Sequence, residues 1–113
     1  MSVEGSQARV ALCRLDELYD DRCMVDLPDG EPVLVIRHQG RIFAVDAMCP
    51  HQYAPLIGGD VEDHVLICPL HGWRFDVRTG LDPGNPYCRI RTFDIAVEGD
   101  VVYWLPWQSA DAG

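Results

Sequence analysis

The sequence has little positive charge. Nine basic residues stand against eighteen acidic ones, a formal net charge of −9 over 113 residues. With no basic patch to release counterions from phosphates, nucleic acid is not expected as a partner. An acidic surface suits docking onto basic protein surfaces, and it also suits solubility alone; charge does not separate the two. Long apolar runs are missing too. None approaches the roughly 18 residues that a membrane span needs. The first ten residues, Met1 to Val10, hold neither an apolar signal core nor a twin-arginine pair. A cytoplasmic protein with no membrane partner is therefore expected. Repeats, low-complexity segments and long helical periods are also absent, and the length leaves no room for a second core. We expect a single domain over 1–113, with its core at about 8–107, short loose ends and a monomeric state.

What is present reads as short strands. The composition, 48% hydrophobic and 24% charged, is that of a chain that folds. A first strand is expected over Ala8 to Cys13, one helical turn over Arg14 to Leu18, and a second strand over Arg22 to Leu27. Pro28-Asp29-Gly30 is a turn signal. Pro32 then opens the run Val33-Leu34-Val35-Ile36, which is continuous and mostly β-branched, as in a strand buried on both faces. His38-Gln39-Gly40 turns the chain into Arg41 to Asp46, the clearest hairpin. Val65-Leu66-Ile67 follows the turn at Asp63-His64, and Trp73, Phe75 and Val77 alternate with polar neighbours. Leu81 to Tyr87, with Pro83, Gly84 and Pro86, is expected to be a stiff loop rather than a strand. Arg91 to Glu98 and Val101 to Leu105 form the last hairpin, around Gly99-Asp100. About eight short strands with frequent turns mean an all-β sandwich or barrel.

The density of metal-binding side chains peaks between Cys49 and His71. Cys49-Pro50-His51 and Cys68-Pro69-Leu70-His71 each bring one sulfur and one nitrogen, and the proline after each cysteine stiffens its loop. Two thiolates and two imidazoles can hold one tetrahedral zinc or the two irons of a cluster. Structural zinc modules usually pair like with like, from a knuckle and a helix. Here each loop is mixed and no helix is expected, so two facing loops can give both cysteines to one iron and both histidines to the other. Cys13, Cys23 and Cys88 lie outside this stretch and read as small buried hydrophobes or bystander thiols. Five cysteines in a cytoplasmic chain are ligands and thiols rather than a disulfide framework.

These residues resemble the signature of Rieske [2Fe–2S] proteins: Cys49-x-His51 with Ala54-Pro55-Leu56, then Cys68-x-x-His71 with Gly72-Trp73-Arg74-Phe75-Asp76 and Thr79-Gly80, over about 31–105. The resemblance implies a base of antiparallel sheets in a Rieske-type sandwich, a small cluster-binding subdomain, and one cluster per chain held by Cys49, His51, Cys68 and His71. With neutral imidazoles the oxidised core carries no net charge and the reduced core one negative charge. A four-cysteine cluster is more negative by two in each state, so histidine ligation raises the potential, into roughly −150 to +300 mV. An exposed second ring nitrogen on each histidine would bind a proton more tightly on reduction.

Respiratory Rieske proteins are similar but carry two further cysteines, which bridge the loops, and a serine near the cluster. The matching positions here are Ala54, Leu70 and Trp73. Fewer donors to the sulfurs lower the potential, so the low end of the range is expected, below about +100 mV. Many relatives have glycine where this chain has Tyr53; either the loop backbone differs there, or the ring shields the cluster, or it is simply exposed. Pro83-Gly84-Asn85-Pro86 resembles the proline loop that covers the cluster in this family, or is a plain surface turn.

Large oxygenase subunits with this motif need a second iron, held by two histidines and a carboxylate in a further domain. Only His38 and His64 remain here, both expected to face solvent at turns. The resemblance therefore implies an electron carrier rather than an enzyme. Its partners would be a flavin-dependent reductase and the terminal oxygenase of a Rieske non-haem iron system acting on an aromatic or similar apolar substrate. A small subunit of assimilatory nitrite reductase is the alternative, and a structural zinc module a third reading.

Overall fold

The structure of the protein, a computed structural model, describes residues 9–50, 53–70 and 72–106, with only the backbone described at 86 and 87. Eleven short strands lie among them: β1 Val10–Arg14, β2 Arg22–Asp26, β3 Pro32–His38, β4 Arg41–Asp46, β5 Val61–Glu62, β6 Val65–Ile67, β7 Arg74–Asp76, β8 Leu81–Asp82, β9 Asn85–Arg89, β10 Ile95–Glu98 and β11 Val101–Trp104. A 3-10 turn at Leu15–Glu17 follows β1, where one helical turn was expected. All pairings are antiparallel, in sheets ordered β1-β11-β10, β2-β3-β4, β5-β6-β7 and β8-β9. The all-β class expected from turn spacing holds.

β3 explains the arrangement. It is the middle strand of its sheet, and Val33, Leu34, Val35 and Ile36 are all buried. Alternate side chains of a strand point to opposite faces. Val33 packs with Leu27 and Ala44, and Val35 with Cys13 and Val102, on the side of the β1-β11-β10 sheet. Leu34 and Ile36 instead join Val45, Leu56, Leu66 and Phe75 around Cys49 and Cys68. One strand thus walls two cores, and burying each of these side chains is worth about 1.5–3 kcal/mol. That is why its sequence is continuously apolar rather than alternating.

Two expectations need correction. The segment after Gly80 is not a loop but a hairpin, β8 and β9, turning at Pro83-Gly84. A two-stranded sheet is all edge, so the missing N–H of Pro86 breaks no central ladder. Arg91 to Asp94 is likewise not part of the following strand. The Phe93 N–H donates to the Ala44 carbonyl at 2.9 Å, and Thr92 bridges Val45, so this stretch runs along β4 before β10 begins at Ile95. It ties the two base sheets together.

Candidate metal centre

Both cysteines occupy the same local structure. The Cys49 N–H donates to the Ala54 carbonyl at 2.7 Å, and the Cys68 N–H donates to the Trp73 carbonyl, also at 2.7 Å. Each bond closes a six-residue knuckle with the cysteine at its first position. In the first, Leu56 N–H to Ala47 carbonyl (2.8 Å) and a Met48–Pro55 bridge zip the two arms; in the second, Gly72 N–H returns to the Cys68 carbonyl at 3.0 Å. His51 and His71 belong to these knuckles by sequence and lie outside the described residues.

The cysteine side chains point inward. Cys49 and Cys68 are buried in one core cluster, floored by Leu34, Ile36, Leu56, Leu66 and Phe75. The knuckle tips point outward: Tyr53 is 68% and Leu70 58% exposed. Tyr53 is exposed, and its backbone is left-handed at φ 50°. No disulfide is formed by any of the five cysteines, which agrees with Ala54 and Leu70 at the bridging positions. Two buried thiols at matching points of two knuckles could supply the sulfur half of a mixed donor set, and soft sulfur donors suit an iron–sulfur group. Among the described residues no three His, Cys, Asp or Glu side chains converge on a metal ion.

Charged residues brace the knuckles from outside. Asp46, just before the first, accepts from the Arg91 N–H at 2.6 Å and from Arg91 Nε at 2.9 Å, while Arg91 Nη2 also reaches Glu31 at 2.7 Å. After the second, Arg78 grips Asp76 through Nε at 3.0 Å and Nη2 at 2.7 Å. The Arg78 guanidinium, through its hydrogen bonds, holds the Asp76 carboxyl below the usual carboxylate range.

His38 and His64 do not face solvent as expected. Their rings meet edge to face at 4.8 Å between centroids, Phe43 meets His64 edge to face at 5.8 Å, and both histidines are half-buried. The His64 N–H donates to His38 Nε2 at 3.2 Å. Two hairpin turns stacked on each other bury what each alone would expose. Sequence reasoning also missed Arg22. Its Nη1 donates to the carbonyls of Ile57, at 2.7 Å, and Gly59. Carbonyl acceptors leave no mark in a sequence.

Together these features define a class: an all-β base carrying a metal-binding tip made of two matched knuckles. The chain belongs to the Rieske [2Fe-2S] domain family, which matches residues 8–94. A Rieske-type [2Fe–2S] cluster is its cofactor. The ferredoxin component of an alkene monooxygenase system from Xanthobacter autotrophicus is 40% identical over 93 residues, covering 80% of this chain and 75% of that protein. Among solved structures, the ferredoxin of carbazole 1,9a-dioxygenase from Nocardioides aromaticivorans has a TM-score of 0.76 at 30% identity, covering 87% of this chain and 97% of that one. A small subunit of NADH-dependent nitrite reductase from Mycobacterium tuberculosis, at TM-score 0.77 and 22% identity, covers 87% of this chain and 94% of its own; this likeness concerns the fold alone.

Proposed function

We propose that the protein is a one-electron carrier, the ferredoxin component of a multicomponent oxygenase system. Cys49 and Cys68 hold the cluster through sulfur, and His51 and His71 through nitrogen. The observation that carries the reading is the pair of knuckles, each closed by a cysteine N–H and each opening its cysteine into the same apolar core. When bound, the cluster supplies reversible one-electron chemistry in the Rieske range. The protein does the rest. Leu34, Ile36, Leu56, Leu66 and Phe75 keep water from the sulfurs, and the proline after each cysteine stiffens the knuckle. By sequence His51 and His71 fall in the same knuckles as Tyr53 and Leu70, whose exposed side chains leave the tips open to a partner.

The partners we assign are a flavin-dependent reductase as donor and a terminal oxygenase as acceptor. Support comes from relatives described as components of monooxygenase and dioxygenase systems. The carrier is a single domain, monomeric and cytoplasmic, and its net charge of −9 favours encounter with basic docking faces. The nitrite reductase reading rests on likeness of fold, without a residue-level observation to favour it. Reconstitution decides between them. Electrons from NADH through a flavin reductase should reach an oxygenase and turn over an apolar substrate only when this protein is added. Transfer to a sirohaem nitrite reductase instead would overturn the assignment.

A further inference from the structure

Arg22 is held in place by a tight turn. Tyr19 and Arg22 exchange backbone hydrogen bonds of 3.0 and 3.2 Å around Asp20 and Asp21, both left-handed at φ 56° and 66°. From the start of β2 its guanidinium reaches 35 and 37 residues ahead, to the carbonyls of Ile57 and Gly59. These carbonyls belong to the strap that joins the two knuckles. At one end, Leu56 N–H is bonded to Ala47, two residues before Cys49. At the other, Gly59 lies so close to β6 that an added Cβ would sit 2.0 Å from the Ile67 carbonyl oxygen, one residue before Cys68. The Ile67 N–H donates in turn to Asp60 at 2.8 Å.

Arg9, Arg14, Arg37, Arg74, Arg78 and Arg91 each lie within ion-pair distance of a carboxylate. Among the described residues three arginines have no carboxylate within ion-pair distance: Arg41 and Arg89 are exposed, and Arg22 is part-buried. Among the same residues the buried Nε of Arg22 has no hydrogen-bond acceptor. A part-buried cation answered only by carbonyl dipoles is costly for stability, and a neutral side chain could fill the space.

We propose that Arg22 is a positioning residue for the cluster, fixing the strap between the knuckles and, by its charge, favouring the reduced state. The inference rests on the ligand assignment made above. Adding an electron makes the centre more negative, so a cation bonded to the strap between the knuckles and lacking a counterion stabilises reduced over oxidised and raises the midpoint potential. Its grip on Ile57 and Gly59 limits how far the two cysteines can drift apart, which retains iron.

The test compares full-length wild type, Arg22→Gln, Arg22→Met and Arg22→Lys, with Arg41→Gln, at an exposed arginine of β4, as a control for loss of charge. The readouts are midpoint potential by protein-film voltammetry, rate of iron loss to a chelator, and thermal midpoint. Arg22→Gln and Arg22→Met should lower the potential and release iron several-fold faster. Arg22→Lys should keep a potential near wild type, and Arg41→Gln should leave both unchanged. Arg22→Met keeps the comparison open should Arg22→Gln fail to fold, because its apolar chain fills the space without bringing in a polar group of its own. A lowered thermal midpoint with unchanged potential in either neutral variant would reduce Arg22 to a structural brace and overturn the proposal. A wild type that binds no [2Fe–2S] cluster would instead overturn the ligand assignment itself.

Discussion

Two pairs of cysteines can be compared within this protein. Cys13 on β1 and Cys23 on β2 pack together in the base, with Leu18, Val35 and Val102. Burial, reinforced by the neighbouring Cys23 thiol, pushes Cys13 up to about 12, and burial raises Cys23 as well. Both therefore stay protonated thiols at neutral pH. Cys49 and Cys68 are at least as buried, yet each starts a knuckle whose tip is exposed and whose sequence returns a histidine two or three residues later. Two sulfurs near each other in an apolar setting do not make a metal site. A backbone knuckle, a nitrogen ligand and an open edge do.

The largest expected effect comes from the knuckle cysteines. Cys49→Ser or Cys68→Ser should abolish the cluster, taking iron per chain to near zero and the visible absorption with it. Iron and sulfide analysis checks this, and retention of the cluster would break the comparison. Next is the wall that divides the two cores. Leu34→Ala should cost about 3 kcal/mol in urea unfolding and also speed iron loss, whereas Val35→Ala should cost somewhat less and leave iron retention unchanged. Equal iron loss in both would mean that β3 does not separate the cores. Gly59→Ala, with its Cβ driven against Ile67, should cost on the order of 2 kcal/mol, while Gly58→Ala, which meets nothing within 4 Å, should stay within about 0.5 kcal/mol.

The smallest effects belong to the base cysteines. Cys13→Ser should cost only about 1 kcal/mol and leave the iron content intact. A pH dependence follows from the raised Cys13 pKa. Folding favours the neutral thiol, so its contribution is fully present below the ordinary value of 9.0 and is lost as pH rises toward about 12. Alkaline unfolding of wild type and Cys13→Ser should therefore converge over that window. Modification of Cys13 by iodoacetamide should be slow at neutral pH; rapid labelling would show that this thiol is not the inert member of the comparison.

The knuckles were legible because proline, cysteine and histidine at fixed spacing carry their chemistry in their identities. β3 was legible because an unbroken, mostly β-branched run of this length suits a strand buried on both faces and little else. The hairpin of β8 and β9 was not, since Pro83 and Pro86 argue against a strand unless the strand is an edge. The contact of His38 with His64 and the reach of Arg22 were hidden for a shared reason. Each joins segments 26 to 37 residues apart through backbone groups that every residue has.

The central claim is that Cys49, His51, Cys68 and His71 hold a two-iron cluster in the intact protein. Anaerobic purification followed by metal and sulfide analysis, with low-temperature electron spin resonance after reduction, tests it most directly. The expected result is a red-brown protein with two irons and two sulfides per chain and a rhombic signal of low average g. A colourless protein holding one zinc per chain would contradict it.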